Sequence, residues 1–472
     1  LSGKGNRDVK EKLENRSQWA SNIGFILAAS GSAVGLGNIW KFPGKVAAYG
    51  GGAFILCYIL IVALVGFPVM LAELSLGRAT QKNAVGAFRK LNRRWTFAGC
   101  IGIVTLFVIL SYYTVVGGWV LKYIWVYLTG ADFGGGATQY QDYFMNFVSS
   151  PIEPLILGVI FLLVCIYVIV RGVSEGIERV SKFLMPCLFV LLIAIVIQSV
   201  TLPGAVEGVK YLFTVRPGTV NGDTLVGALG QAFFSLSVGM GIMITYGSYV
   251  PKKENLAKSA GVICAVDTMV AILAALAIVP VVFVTLGADS LGQGGGVAFM
   301  ALPDVFGRMP GGVVFGCLFF MLLFLAALTS AISIMESCVA FLTEEFHLTR
   351  LKATILLTLP MLVLSAGYSL SQSSARGINL PWFDFHEGLQ MLPMNAVMEK
   401  FTDNLMIPLG ALFFCLFVGW VWGSKNAVRE IENNGEHPFP VKKIWSFSVR
   451  FLAPLVIAVI LYFTLGQGQG LS

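Results

Sequence analysis

Side chains that could bind a cation lie inside stretches of this sequence that are otherwise apolar. Residues 31–43 read GSAVGLGNIWKFP and contain Ser32 and Asn38, and residues 233–241 read FFSLSVGMG and contain two serines. Hydroxyl, amide and backbone carbonyl oxygens are the ligands that a hard cation prefers. Because glycine and proline also weaken a helix here, the backbone could offer carbonyl oxygens to a cation and N–H groups to an anion.

Three carboxylates lie in similarly apolar surroundings, where an ionised side chain is costly and is by default a candidate for function. Asp267 falls several residues inside an apolar run and needs a cation partner, which a bound sodium ion would supply. Glu73 is either an interfacial acid or a structural prop for the weakened helices. Glu336 offers the same choice, and a structural role is favoured for it.

Hydroxyl groups lie along one face of a further apolar segment, which reads LAALTSAISIMES over residues 325–337. Helical spacing places Thr329 and Ser330 on one stripe with Ala326. Such hydroxyls usually bond back to a carbonyl one turn earlier in their own helix. Thr329 and Ser330 could instead supply two oxygens of a cation site, and the pattern leaves both alternatives open.

The sequence gives little basis for an enzyme or a nucleic-acid-binding protein. It has three histidines, none with the spacing of a metal site or of a nucleophile and its base. Its formal charge is +7, but the basic residues cluster in short connections between apolar runs, where they set membrane orientation. We therefore expect neither catalysis nor nucleic acid as a partner.

The composition requires a lipid bilayer around these polar residues. Of the 472 residues, 56% are hydrophobic and 12% are charged, whereas a soluble domain carries about 25% charged residues. Apolar runs of about 18 residues or more predict an all-α integral membrane protein rather than a β-barrel. We predict eleven spans, near residues 20–43, 47–73, 96–129, 153–170, 183–202, 226–249, 258–286, 312–342, 353–370, 396–423 and 446–466.

Lysine and arginine residues orient these spans. They precede the first span and follow the second and the sixth, whereas residues 130–152 contain none. Because cytoplasmic loops carry the excess of basic residues, the amino terminus is predicted to be cytoplasmic and the carboxyl terminus to be outside. We expect the protein in the inner (plasma) membrane of the cell.

The first and sixth spans carry the same glycine-interrupted, polar defect. Because five spans is an odd number, a repeat of spans one to five in spans six to ten must lie upside down in the membrane. Paired interruptions in two inverted halves are typical of a transporter with its binding site at the midplane. A single such glycine would more simply serve close helix packing.

This organisation predicts four segments along the chain. They are a cytoplasmic amino-terminal segment at 1–19, the first five-helix repeat at 20–202, the second, inverted repeat at 226–423, and a final region at 424–472 with a cytoplasmic loop, the eleventh helix and a short extracellular tail.

Five segments together resemble the signature segments of the neurotransmitter:sodium symporter family. They are residues 31–43, GGGAF at 50–54, SYYTVVGGW at 111–119, GQAFFSLSVGMGIMITYGSYV at 230–250 and LTSAISIMES at 328–337. The resemblance implies a sodium-coupled symporter that works by alternating access, with two inverted five-helix repeats and discontinuous first and sixth helices.

The family's pattern implies two sodium sites per substrate site. The first sodium ion would be held by Ala33, Asn38, Ser235 and Asp267, together with the carboxylate of the substrate. The second would be held by Gly31, Val34, Ala326, Thr329 and Ser330.

The resemblance also implies a substrate site between the two interrupted helices. Its residues would be Ser32, Ala33, Leu36, Gly37, Ile109, Tyr113, Phe234, Ser235, Ser237, Met240, Ser330 and Ile334. Gly35 stands where amine-carrying relatives have an aspartate, so the substrate should bring its own carboxylate. Because the side-chain pocket is largely apolar and includes the adaptable Met240, we expect neutral hydrophobic L-amino acids.

Two departures from the family's pattern bear on the ions. Asp267 replaces the asparagine usual at the first sodium site, and Ala271 stands where chloride-dependent members have a serine. A permanent carboxylate at Asp267 would supply the negative charge that chloride supplies elsewhere. We therefore expect that chloride is not required.

The resemblance assigns gating positions at both faces. At the cytoplasmic face Arg16 and Glu344 match the family's ion pair, with Trp19 beside them. At the outer face Lys41 takes the basic position, but the acidic position falls on a methionine. Asp403, one turn earlier, could pair with Lys41 instead.

Gly176 and Pro186 match a family pattern of a glycine and a proline separated by nine residues. An unwinding segment there could let water reach the second sodium ion from the cytoplasm. The alternative is an ordinary helix start followed by a proline kink.

Two other functions stay open. A sodium-dependent amine transporter would share the architecture, although Gly35 disfavours it. An ion channel or an amino-acid-gated receptor, a different class, would also line a pore with carbonyls and hydroxyls. A channel carries current without substrate, whereas a symporter moves charge and substrate in a constant ratio.

Overall fold

The chain is built almost entirely from helices. The computed structural model describes residues 18–130, 133, 139–216, 218–286, 299–308, 311–373, 377–384 and 388–466. The α-helices are α1 (Asn22–Ala33), α2 (Phe42–Ala48), α3 (Gly52–Ile61), α4 (Phe67–Thr80), α5 (Ala84–Leu91), α6 (Thr96–Thr129), α7 (Gln139–Ser149), α8 (Glu153–Val170), α9 (Arg179–Thr201), α10 (Ala205–Phe213), α11 (Gly222–Ser235), α12 (Ile242–Gly247), α13 (Leu256–Leu286), α14 (Ala301–Arg308), α15 (Gly312–Glu345), α16 (Arg350–Ser371), α17 (Met394–Glu399), α18 (Ile407–Leu416), α19 (Ser424–Ile431), α20 (Lys442–Phe447) and α21 (Ala453–Gly466).

Short stretches of wider or tighter winding join several of these helices. The π-helical stretches are Gly37–Lys41, Val62–Gly66, Val173–Glu178, Lys400–Met406, Phe417–Val421 and Ser448–Leu452, and the 3₁₀ turns are Arg93–Trp95 and Asn433–Gly435. A π-helical turn inserts an extra residue into a helix and is frequent at functional sites. One of them, Gly37–Lys41, directly follows the first interruption predicted from the sequence.

Within the described residues, nine helices are long and apolar enough to cross a membrane. A tenth span is formed if α1 and the segment Gly37–Ala48, which are bent by 50° relative to each other, are counted as one. The predicted sixth span contains two short helices, α11 and α12, rather than one long helix. The fold is that of a multi-pass, mainly α-helical membrane protein.

The first interruption lies between α1 and the π-helical turn. Val34 leaves helical geometry with φ −74° and ψ 93°. The side-chain oxygen of Asn38 accepts a hydrogen bond from the N–H of Gly35 at 3.2 Å, which caps the resuming helix from inside its first turn. Asn38 therefore provides a hydrogen-bond partner for the N–H of Gly35, which the break in the helix would otherwise leave unpaired.

The second interruption separates α11 from α12. Ser237, Gly239 and Gly241 have positive φ angles of 53°, 85° and 80°. Glycine adopts these angles without a steric penalty, whereas other L-residues rarely do. The carboxylate of Glu73 accepts a hydrogen bond from the N–H of Gly239 at 2.6 Å. Glu73 is buried, so of its two possible roles the structure favours the prop over the interfacial acid.

The two interrupted helices are surrounded by long continuous ones. α1 packs against α9, α13 and α15, and α6 and α15 pack along each other. The half-helix α12 packs against α4. This arrangement brings both breaks, α6 and α15 to the same place in the interior.

A β-hairpin interrupts the helical pattern and was not predicted. Strands β1 (Asn379–Asp384) and β2 (Gly388–Pro393) pair antiparallel, from Asn379 opposite Pro393 to Asp384 opposite Gly388. The hairpin joins α16 to α17, where the sequence predicted only a connection. Within the described residues this hairpin is a local exception in a mainly helical chain, and the predicted all-α class of membrane protein holds.

Candidate functional site

A buried cavity lies between the two breaks. Its walls come from both interrupted helices, from α6 and from α15. The lining residues are Ser32, Ala33, Gly35, Leu36, Gly37, Ile109, Tyr113, Phe234, Ser237, Met240, Ile242, Ser330 and Ile334. The structure thus brings together all of the predicted substrate residues except Ser235, and it adds Gly35 and Ile242.

One side of this cavity presents hydrogen-bonding groups. The hydroxyl of Tyr113 accepts a hydrogen bond from the N–H of Leu36 at 3.4 Å. The hydroxyls of Ser237 and Ser330 donate to the carbonyl of Ser32 at 2.9 and 3.1 Å. These groups are donors and acceptors of the kind that a zwitterion needs, and they are held by the ends of broken helices.

The other side of the cavity is apolar. Ile109, Met240, Ile242 and Ile334 are buried around it, together with the ring of Phe234. Ile109 belongs to α6 and Ile334 to α15, whereas Phe234, Met240 and Ile242 come from the second interrupted helix, so continuous and interrupted helices share this wall. A ligand that fits both sides has a compact polar end and a hydrophobic side chain.

Next to the cavity, Asn38, Ser235 and Asp267 form a buried hydrogen-bond network. The carboxylate of Asp267 is fully buried and accepts from the amide of Asn38 at 2.8 Å and from the hydroxyl of Ser235 at 2.8 and 2.9 Å. Ala33 ends α1 at the edge of the cavity. The hydroxyl and carboxylate oxygens of this network suit a hard cation, whereas Asn38 directs its amide nitrogen at them and its Oδ1 accepts from the N–H of Gly35.

Tyr58 belongs to the same network and was missed by the sequence analysis. Its hydroxyl lies 3.0 Å from Asp267 Oδ2 and 3.0 Å from the hydroxyl of Ser235. Tyr58 lies in α3 within an apolar run, where an aromatic residue looks like any other core residue. No motif in the sequence distinguishes it.

The residues of the second predicted sodium site also converge. Gly31 and Val34 lie at the end of α1, and a Cβ at Gly31 would meet the Cβ of Thr329 at 3.1 Å. The hydroxyl of Ser330 donates to the carbonyl of Gly31 at 3.3 Å. That of Thr329 donates to the carbonyls of Leu325 and Ala326, both at 3.1 Å. Thr329 thus bonds back to its own helix while facing α1.

On the side of the cavity that the sequence predicts to face outward, Lys41 forms an ion pair with Asp403, at 3.0 Å between Nζ and Oδ2. The side chains are 25% and 6% exposed. The Lys41 ammonium also lies 4.5 Å from the ring centre of Phe234. Phe234 lines both the central cavity and a second cavity, which Lys41 and Asp403 also line. Its ring is therefore a partition between the two.

On the side that the sequence predicts to be cytoplasmic, Trp19 is buried against α12 and the turn that follows it. Its indole N–H donates to the carbonyl of Tyr246 at 3.1 Å, and its backbone N–H donates to the carbonyl of Tyr249 at 3.1 Å. Glu344 accepts hydrogen bonds from the backbone and the side chain of Asn83, both at 3.0 Å. Arg16, its predicted partner, lies outside the described residues.

Glu336 joins the same inner region. Its carboxylate accepts from the hydroxyl of Tyr249 at 2.8 Å and forms an ion pair with Arg350. These two partners come from the segment after α12 and from α16. Glu336 is fully buried with both partners in place, which agrees with the structural role favoured for it.

Gly176 lies before the predicted fifth span (183–202), and Pro186 lies within it. Gly176 falls inside the π-helical stretch Val173–Glu178, and Pro186 lies within α9. The helix start is therefore not an ordinary α-helical turn.

Two interrupted membrane helices that meet at a buried, oxygen-rich cavity define a secondary transporter. The sodium:neurotransmitter symporter family matches residues 16–132 and 154–471, and the chain belongs to this family. Its members are transporters and not enzymes.

The chain is similar to characterised and uncharacterised proteins of this kind. It is 36% identical to the sodium-dependent transporter YhdH of Bacillus subtilis, over 94% of this chain and 96% of that protein. It is 26% identical to the human sodium- and chloride-dependent GABA transporter 2, over 97% and 82% of the two chains. The crystal structure of MhsT in complex with L-phenylalanine matches with a TM-score of 0.83 and 39% identity, over 94% of this chain and 99% of that one.

Proposed function

We propose that the chain is a symporter that imports neutral hydrophobic L-amino acids by alternating access. Two sodium ions accompany each substrate, and chloride is not required. The observation that carries the proposal is the central cavity, which has helix ends and hydroxyls on one side and apolar side chains on the other. The L-phenylalanine in the related MhsT structure supports the same substrate class.

The proposed sodium sites consist of the two oxygen-donor clusters beside this cavity. The first comprises Ala33, Asn38, Ser235 and Asp267, and Tyr58 orients the carboxylate. The second comprises Gly31, Val34, Ala326, Thr329 and Ser330. The substrate's carboxylate completes the first site, so neither sodium nor substrate is held tightly alone.

Chloride independence follows from Asp267. A carboxylate buried among Asn38, Ser235 and Tyr58 brings a permanent negative charge to the first sodium site. Chloride-dependent relatives such as GABA transporter 2 would obtain that charge from the anion. The amine-transporter alternative is weakened at Gly35, because no acidic side chain is available there to meet an ammonium group.

The coupling supplies enough free energy for accumulation. Each sodium ion that moves inward gains about 2.3 kcal/mol per 100 mV of membrane potential. Two ions give roughly 4.6 kcal/mol, which concentrates a neutral substrate about a thousandfold.

Alternating access is proposed to use the two closed faces in turn. Lys41 and Asp403 close the outer face, whereas Trp19 and Glu344, with Arg16, close the inner one. Eleven spans in two inverted repeats, with a cytoplasmic amino terminus in the plasma membrane, provide the architecture. Gly176 and Pro186 mark the segment that would open a water path to the second sodium ion.

Uptake into proteoliposomes tests the proposal. Radiolabelled leucine or phenylalanine is supplied with sodium, potassium or choline outside, and with chloride or gluconate as the anion. We expect uptake only with sodium and no effect of gluconate. Uptake without sodium would reject coupling, and current that persists without substrate would indicate a channel.

The variant Asp267→Asn tests the role of the buried carboxylate in the same assay. Removing its charge should raise the sodium concentration needed for half-maximal uptake, or make uptake dependent on chloride. A sodium titration that is unchanged in both anions would contradict the assigned role.

A further inference from the structure

Arg450 carries a positive charge at the apolar surface of the protein. It lies in the π-helical stretch Ser448–Leu452, inside the apolar span Lys442–Leu465. Its Nε atom is buried and has no hydrogen-bond partner among the described residues. Its guanidinium carbon lies 4.5 Å from the ring centre of Trp420 and 5.5 Å from that of Phe451. Both rings are exposed on the outside of the helices, where lipid covers the protein, so this charge is a candidate for function.

The acidic residues nearest to Arg450 in the sequence have other partners. Glu430 pairs with Arg78 at 2.8 Å, and Glu432 pairs with Lys442 at 2.9 Å. Both glutamates belong to the connection between the tenth and eleventh spans. Neither of them neutralises Arg450, and the guanidinium is therefore free to bind an anion from outside the chain.

The surrounding helices hold the Arg450 side chain in place. A Cβ at Gly419 would lie 3.2 Å from both Cα and Cγ of Arg450, so only a glycine lets the aliphatic part of the side chain lie this close to the neighbouring helix. The indole N–H of Trp420 donates to the carbonyl of Arg450 at 3.0 Å, which holds the ring beside the guanidinium. Gly419 and Trp420 belong to the π-helical stretch Phe417–Val421, and this stretch packs against the one that contains Arg450. Such stretches are frequent at functional sites.

The guanidinium lies close to one surface of the membrane. Trp420 is one residue before the end of the apolar span Met394–Val421, and tryptophan is enriched where a bilayer meets water. The connection that follows this span carries Lys425, Arg429 and Lys443. Basic residues next to a span attract anionic lipids to that surface. Arg450 is therefore placed where lipid headgroups lie and where anionic ones accumulate.

We propose that Arg450 binds the phosphate of an anionic phospholipid between the tenth and eleventh spans. A guanidinium holds phosphate through two parallel hydrogen bonds, and basic sites between membrane helices suit anionic headgroups. The rings of Trp420 and Phe451 lie beneath the headgroup, and the exposed side chains of Leu455 and Val459 lie along one acyl chain. A zwitterionic lipid is disfavoured, because its ammonium group brings a second positive charge next to the guanidinium.

Native mass spectrometry of the full-length protein tests the proposal. The protein is released from detergent that contains either phosphatidylglycerol or phosphatidylcholine. We expect one phosphatidylglycerol molecule to stay bound at lipid concentrations at which phosphatidylcholine does not. In Arg450→Gln the affinity for phosphatidylglycerol should fall about tenfold, because a charge-assisted contact is lost.

Three further variants sharpen the test. Lys443→Gln is the matched control, because it removes the same charge from an exposed side chain two turns earlier, and it should change the affinity by less than about twofold. Arg450→Lys keeps the charge but not the paired hydrogen bonds, so it should retain part of the affinity. Trp420→Leu leaves the charge and removes the ring. It should weaken binding several-fold, and it tests the site independently where Arg450→Gln does not fold.

Four results would overturn the proposal. Equal losses in Lys443→Gln and Arg450→Gln would show a diffuse attraction rather than a site. Equal retention of the two lipids would remove the preference for a negative headgroup. Displacement of phosphatidylglycerol by inorganic phosphate at the same concentration would exclude a lipid as the specific ligand. A dimer that is lost in Arg450→Gln, without any preference for phosphatidylglycerol, would assign the surface to a second copy of the chain.

Discussion

At the scale of single residues, Gly35 keeps space open on the polar side of the cavity. A Cβ at this position would lie 2.5 Å from the hydroxyl of Ser330 and 3.2 Å from that of Tyr113. Both hydroxyls belong to the polar side of the cavity, so the missing side chain is what leaves room between them. The substrate's own polar end is expected to use that room.

Replacing Gly35 by alanine should therefore reduce substrate binding. Overpacking of this kind costs roughly 1–3 kcal/mol, so the dissociation constant should rise about tenfold or more. The dissociation constant is measured by equilibrium binding of radiolabelled leucine to the purified protein in the presence of sodium.

The matched control is Gly44→Ala. Gly44 lies in the same interrupted helix, and nothing lies within 4 Å of an added Cβ there. Equal loss of binding in the two variants would show that general helix stability, rather than the space beside Ser330, was responsible.

At the scale of secondary-structure elements, the sequence predicts the two helix interruptions but not the packing around them. Both interruptions could be predicted, because glycines and polar residues stand out inside an apolar run. Tyr58 and Ile242 could not, because each looks like its apolar neighbours until α3 and α12 are packed. The winding of Val173–Glu178 was equally hidden, since a π-helical turn depends on the helices around it.

The ion pair between Lys41 and Asp403 joins two elements that are distant in the sequence. Lys41 ends the π-helical turn after the first break, and Asp403 lies in the Lys400–Met406 stretch. The sequence offered Asp403 as one partner, and the structure has this ion pair. Its partial burial places its strength between that of exposed and buried pairs, at about 1–3 kcal/mol.

Breaking this pair should speed the escape of bound substrate to the outside. Lys41→Gln and Asp403→Asn are each expected to raise the dissociation rate of bound radiolabelled leucine about tenfold. The double variant should be little faster than either, because both changes remove the same interaction.

Lys210→Gln is the control for the gate. Lys210 pairs with Glu207 on the surface, where both side chains are more than 60% exposed, so dissociation should be unaffected. If the effects of Lys41→Gln and Asp403→Asn simply add, the pair does not act as a gate.

At the scale of the whole molecule, binding of sodium and substrate should raise the free energy of unfolding. Sodium and substrate that bind only the folded protein stabilise it by about 2.7 kcal/mol at a hundred times the dissociation constant. The thermal unfolding temperature in detergent should therefore rise with sodium and rise further when leucine is added.

Two ion substitutions serve as controls for the measurement of the unfolding temperature. Potassium in place of sodium should abolish both increases, and gluconate in place of chloride should change neither. If leucine raises the unfolding temperature when potassium is present and sodium is absent, the substrate does not need the ligand that it is proposed to share with sodium.

Phe234 connects the central cavity to the ion pair between Lys41 and Asp403. One face of its ring belongs to the chamber that would hold the side chain, and the Lys41 ammonium rests against the ring. A large ligand that tilts the Phe234 ring would also displace the Lys41 ammonium, which lies 4.5 Å from the ring centre. The largest ligand that the central cavity can enclose is therefore expected to depend on how far this one aromatic ring can turn.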